Sequence, residues 1–150
     1  MTQSASQKVI SEFIERCDAR MSGRGGADPC ELLASNVVVT VNGTTPVSGR
    51  FPGLEIVKGI LVDTVAERML AINVSVEEFV GQGERVATLL KITGRTKQGR
   101  TYNEKGEVCG CVFEVKGGRV TEVFLFPDTT LIEMVLFNRK YVPNKRPAAA

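Results

Sequence analysis

The side chains that could do chemistry in this 150-residue chain are defined first by an omission: it has no histidine. Imidazole-based nucleophilic catalysis and histidine-ligated zinc are excluded within the chain. Proton transfer near neutral pH falls to carboxylates, lysines, tyrosines or thiols with shifted pKa values. The four cysteines, Cys17, Cys30, Cys109 and Cys111, form no C-x-x-C pair. A metal site is therefore not expected, and neither is a cofactor. Cys109 and Cys111, two residues apart, share one face of a strand. Free thiols suit a reducing compartment, and the chain is expected to be cytoplasmic.

The elements that must position these groups follow from hydrophobic period. Val9, Ile10, Phe13, Ile14, Cys17 and Met21 make one helical stripe over roughly residues 5–22. Ser4 and Gln7 fit a capping box, and Gly23 fits a stop. Asp28-Pro29 predicts the start of a short second helix, 29–34. A strand is expected at 37–41, a loop at 42–53 and a third helix at 53–70, with Leu54, Val57, Ile60, Leu61, Val65 and Met69 facing inward. From Ala71 the period becomes two, and tight turns at Gly81-Gln82-Gly83, Lys97-Gln98-Gly99 and Lys116-Gly117-Gly118 divide four strands. Asp128 can cap a last short helix, 129–137. Residues 141–150 read as a tail, outside a single domain with its core at about 5–138.

Helices ahead of a strand meander argue an α+β fold with a mostly antiparallel sheet curled around three N-terminal helices. Val86, Leu90 and Ile92 alternate with Ala87 and Leu89, so the sheet is apolar on both faces. One face covers the helices. A second copy of the chain is the simplest cover for the other, giving a homodimer through the outer sheet face. The net charge of +2 is too small to suggest nucleic-acid binding, and no apolar run reaches the length of a membrane span. Basic residues do cluster at Arg95, Lys97, Arg100 and Lys105 and again at Arg139, Lys140, Lys145 and Arg146. Solvated tips and a charged tail account for them, with a protein partner at the hairpin tip as the lesser reading.

Several local patterns stand in a telling order: Val47-Ser48-Gly49-Arg50, Gly83-Glu84-Arg85-Val86-Ala87, Gly99-Arg100-Thr101-Tyr102-Asn103, Val112-Phe113-Glu114-Val115 before Gly118-Arg119-Val120, and Phe126-Pro127-Asp128. With the element order over about residues 5–138, the chain resembles the SnoaL-like, nuclear transport factor 2-like superfamily. That resemblance implies a cystatin-like cone enclosing an apolar pocket, commonly in a homodimer, and no single activity.

Carried over residue by residue, the family's chemistries are missing. Thr40 takes the place of the steroid isomerases' aspartate base, while Phe13 and Cys111 replace their oxyanion donors. In the epoxide hydrolases' Asp–Arg–Asp relay, the arginine and first aspartate positions resemble Leu89 and Lys91 and the second aspartate falls near Leu125, with only Asn42 matching their asparagine. The dehydratases' histidine has no counterpart. The same alignment puts Lys91, Glu107, Cys109 and Cys111 on the concave face, with Glu107 as an acid or base tuned by Lys91. Phe13, Thr40, Asn42, Tyr102, Cys109, Cys111, Leu125, Phe126 and Asp128 are the expected substrate-binding residues. The expected function is a pocket for a small apolar organic molecule, in its catalytic form an isomerase, cyclase or dehydratase using carboxylate chemistry. The alternative is a non-catalytic ligand-binding or protein-association module.

Overall fold

In a computed structural model, which describes residues 2–140, seven strands form one mixed sheet. Helix α1 spans Ala5–Met21 and begins with the expected reciprocal capping box between Ser4 and Gln7. A 3₁₀ turn, Pro29–Leu32, is capped by Asp28, whose carboxylate accepts from the Cys30 N–H at 2.9 Å. The chain then passes directly into strand β1, Leu33–Val41. The predicted short helix thus ends two residues early, and Asn36 lies inside the strand rather than before it.

The segment expected as an uninterrupted loop contains a further strand, β2, Gly49–Pro52, on the sheet edge. Proline is tolerated there because an edge strand has one row of unpaired amides. The next helix is composite: α2, Leu54–Ile56; a π-helical turn, Val57–Val62; and α3, Asp63–Ala66. The π turn widens the residue period, so the predicted stripe fails in its middle. Val57 is buried, whereas Ile60 is 53% exposed. Met69, counted into that helix from sequence, opens strand β3, Met69–Val80.

The remaining strands are β4, Arg85–Thr96; β5, Thr101–Tyr102; β6, Val108–Lys116; and β7, Arg119–Phe126. The sheet order is β2-β1-β7-β6-β4-β3, with β5 beside β4. All neighbours are antiparallel except β1 and β7, which run parallel. Register shifts in β1/β7, β3/β4 and β6/β7 bend the sheet. Gly94 permits a close approach at one of them: a Cβ there would stand 2.5 Å from the Ala71 carbonyl oxygen. A last helix consists of α4, Thr129–Leu131, and a π-helical turn, Ile132–Leu136.

The sheet's concave face holds the core. Val37, Val39 and Val41 of β1, Val86 and Leu90 of β4, Cys111, Phe113 and Val115 of β6, and Val120 and Val123 of β7 pack around Ile10 and Ile14 of α1. Transfer of each such side chain from water contributes about 1.5–3 kcal/mol. Helix α1 also protects the β3 edge: Asp18 Oδ1 accepts from the Val74 N–H at 2.8 Å. The fold is α+β with a curved mixed sheet. The expected tail, 141–150, lies outside the described residues. No helix among the described residues is long and apolar enough to cross a membrane.

Candidate functional site

Alternation along the strands decides which side chains face the cone. In β4, Val86, Thr88 and Leu90 are buried, so Ile92 and Gly94 share their inward parity. Their partners carry that parity into β6, as Leu90 pairs with Cys109, Thr88 with Cys111 and Val86 with Phe113. It continues into β7, where Cys111 pairs with Leu125 and Phe113 with Val123. Burial then falls along each strand toward the same end. Val86, Phe113 and Val120 are at most 1% exposed, while Ile92, Cys109 and Leu125 are only half-buried. The fully buried end is thus packed against α1, and the opposite end, termed the wide end, is lined by half-buried apolar side chains.

Tyr102 joins this wide end. It pairs with Gly94 across β4/β5, and burial raises its phenol pKa to about 12, with the nearby Cys109 and Asp128 adding to the rise. Its hydroxyl has no hydrogen-bond partner among the described residues. The segment after it is locked by Asn103, which is 8% exposed and adopts a left-handed φ of 55°. Its Nδ2 donates to the carbonyls of Ile92 and Glu107, both at 2.8 Å, and its Oδ1 accepts from the Glu107 N–H at 3.0 Å. In the sequence Asn103 stands out only as the end of the Gly99–Asn103 pattern. A signal was available, since asparagine tolerates the left-handed region in a turn that closes on Gly106.

Cys109 and Cys111 do share the concave face, and burial pushes both thiols up from the ordinary value. Neither is an activated nucleophile. Cys17, beside Cys30, is pushed up to about 12, chiefly by burial. Phe13 meets the buried Phe113 edge-on, with ring centroids 6.2 Å apart. Asp128 is exposed and caps the last helix, its Oδ1 accepting from the Leu131 N–H at 3.1 Å. No group of three or more His, Cys, Asp or Glu side chains that could hold a metal ion occurs among the described residues.

Five expected residues lie outside the cone. Lys91, with parity opposite to Leu90, lies on the outer face, where its Nζ is 3.6 Å from Glu77 Oε1. Glu107 is exposed and meets Asn103 through its backbone, so the inward Lys91–Glu107 pair does not form. Thr40 alternates with the buried Val39 and Val41 and pairs with Phe124 and Arg50 on the outer face. Phe126 is 47% exposed there and stacks on Phe124, with centroids 6.5 Å apart. Asn42 is exposed just beyond β1, its backbone N–H donating to the Leu125 carbonyl at 2.9 Å.

The outer face holds a trough of about 500 Å³ lined by Asn36, Thr40, Arg50, Glu114, Glu122 and Phe124 among others. Its carboxylates are already paired: Arg85 Nη1 lies 3.3 Å from Glu122 and 3.5 Å from Glu114, which also accepts from Thr121 Oγ1 at 2.8 Å. That Thr121 hydrogen bond, more than the neighbouring Lys116 and Arg85, holds the Glu114 carboxyl below its usual range. The trough belongs to the sheet's outside and is separate from the cone.

No protein-family model matches the sequence, and no curated protein matches it. Solved structures do. An NTF2-like protein of unknown function from Burkholderia pseudomallei K96243 superposes with a TM-score of 0.72 at 19% identity, covering 89% of this chain and 98% of that one. TerC, co-crystallized with polyporic acid, gives 0.67 at 17% identity, covering 89% and 99%. A Catenulispora acidiphila protein with a ketosteroid isomerase-like fold, in complex with trimethylamine, gives 0.61 at 13% identity, covering 84% and 92%. At these identities the likeness establishes architecture: the chain has the NTF2-like fold.

Proposed function

We propose that the wide end of the cone binds a small, largely apolar organic molecule, with Tyr102 donating a hydrogen bond to an oxygen acceptor on it. The carrying observation is the position of Tyr102. A neutral, half-buried phenol with no protein partner among the described residues sits beside half-buried Cys109, on the face it shares with Ile92 and Leu125. A binding site needs this combination of apolar wall and few polar anchors. That TerC was crystallized with polyporic acid supports an organic occupant for this architecture.

Binding without chemistry is the favoured form of this reading. Lys91 and Glu107, the acid–base candidates, lie outside the cone. An isomerase, cyclase or dehydratase would have to draw its carboxylate from Asp128, which acts on Tyr102 electrostatically but already caps a helix. We further propose a second copy of the chain as partner on the outer sheet face. Val80, Val108 and Phe126 expose about half their surface there, flanked by charges of both signs.

The test is a thermal-shift panel of neutral polycyclic ketones against wild-type protein and Tyr102→Phe. At least one ketone is expected to stabilise the wild type and to lose most of that shift in the variant. A panel without any shift, or one bound equally well by Tyr102→Phe, overturns the reading.

A further inference from the structure

Arg100 immediately precedes β5 and is exposed, yet its guanidinium grips the far end of the last helix. Nη1 donates to the Met134 carbonyl at 2.7 Å and to Asn138 Oδ1 at 2.5 Å. Met134 is in the final turn, where helix carbonyls lack partners of their own. Asn138 takes the left-handed conformation, φ 54°, and its Nδ2 donates to Gln98 Oε1 at 3.1 Å. Arg68 adds a third hold, its guanidinium carbon 4.5 Å from the Phe137 ring centroid. The Arg68 carbonyl in turn accepts from the Lys97 N–H at 2.9 Å. The β4–β5 hairpin and the turn after α3 therefore clasp Phe137 and Asn138 together.

The inward side of the same helix is a small apolar seat, buried at Ile132 and Val135. It packs against β5, the strand carrying Tyr102. Its cap, Asp128, and Cys109 both lie close enough to the Tyr102 phenol to raise its pKa. The helix is thus seated against β5 beside Tyr102, and the Arg100 and Arg68 holds are at its C-terminal end. Such holds can release without disturbing the sheet ladder.

We propose that Arg100 is a positioning residue for the cone: by clasping the last turn of the C-terminal helix it keeps that helix seated beside Tyr102 and Cys109 and so limits entry to the wide end. The proposal rests on reading the cone as the ligand site, but its test needs no ligand. Alkylation of Cys109 by N-ethylmaleimide, followed by peptide mass, reports access to the wide end, with Cys30 on the 3₁₀ turn as internal reference. Amide hydrogen exchange over residues 132–138 reports the seating of the helix. Arg100→Ala is expected to speed both by roughly tenfold, the scale of one charged hydrogen bond. Arg100→Lys should fall between that variant and wild type, since lysine keeps the charge but not the planar fork. Arg95→Ala, which removes only a 3.3 Å contact to the Gly99 carbonyl, should change neither. Unchanged helix exchange overturns the clasp. Faster helix exchange with unchanged Cys109 alkylation overturns the role in access, as does an equal rise at Cys30. A ketone panel that fails to bind leaves these rates standing, so the two proposals fail separately.

Discussion

Asn103 and Glu107 are joined twice, side chain to backbone: the amide nitrogen of Asn103 donates to the Glu107 carbonyl at 2.8 Å while its amide oxygen accepts from the Glu107 N–H at 3.0 Å. This reciprocal pair closes the turn between β5 and β6 and fixes where Tyr102 stands. Asn103→Ala removes both bonds and the one to Ile92, and puts an alanine at positive φ. A loss of about 2 kcal/mol is expected. Asn103→Gly should lose less, because glycine accepts the backbone conformation without strain. Urea unfolding of the two variants checks the ordering; equal stability of wild type and Asn103→Ala would refute it.

Glu107→Gln and Lys91→Met should leave ligand-induced thermal shifts as they are in the wild type. Their side chains stand outside the cone. Loss of ligand response in either variant would return these residues to the site.

Alkaline pH should destabilise the protein progressively. Cys17 has an ordinary value of 9.0 and a folded value of about 12, and Tyr102 rises from 10.0 to about 12. Both are acids with raised folded pKa values, so between the two values the unfolded chain has released protons that the folded chain retains. Stability is then intact below pH 9 and falls as pH climbs toward 12. Urea midpoints under reducing conditions at pH 8, 10 and 11 measure the fall. Cys17→Ala should reduce the part that begins near pH 9, to which Cys30, Cys109 and Cys111, also pushed up by burial, contribute the remainder.

Asp18→Ala should expose the edge of β3. The Val74 N–H loses its carboxylate acceptor, at a cost of about 1–3 kcal/mol. Faster exchange of the Val74 amide and greater self-association on heating are the expected readouts. An unaltered Val74 amide would show that another group protects that edge.

Light scattering tests the proposed second copy. Wild-type protein is expected at twice the chain mass, and Val80→Lys, at a position 58% exposed on β3, should shift it toward one. A wild-type monomer would remove that partner.

The elements were largely legible in the sequence because period and punctuation mark them locally. The capping box of α1, the turn glycines and the full extent of β7 all follow from residues within a few positions of one another. Strand β2 was not, since Pro46, Gly49, Pro52 and Gly53 are the residues of a loop and only an edge position accommodates them. The candidate site was legible in part. The sequence put Cys109 and Cys111 on one concave face, where strand pairing has them, and Phe13 in the α1 stripe that packs on the core. Lys91 and Thr40 were placed by analogy with relatives and Phe126 as a lining residue, and strand alternation puts all three outside. The corrective signal was present: Lys91 stands between Leu90 and Ile92, and Thr40 between Val39 and Val41. A one-residue slip in a strand inverts every side chain, so analogy without parity misplaces whole sites. The Arg100 clasp was out of reach, because it joins residues more than thirty positions apart through a guanidinium that sequence period does not orient.

The parallel pairing of β1 with β7 has a consequence for how the chain comes into being. Residues 33–41 find that neighbour only in residues 119–126, so during synthesis β1 has β2 alone beside it until nearly the whole described chain has emerged. Val37, Val39 and Val41 must wait, uncovered on one side, for a wall that is made last. Such a topology defers closure of the sheet until the last strand is made, and leaves the nascent first half with an unclaimed apolar strand edge.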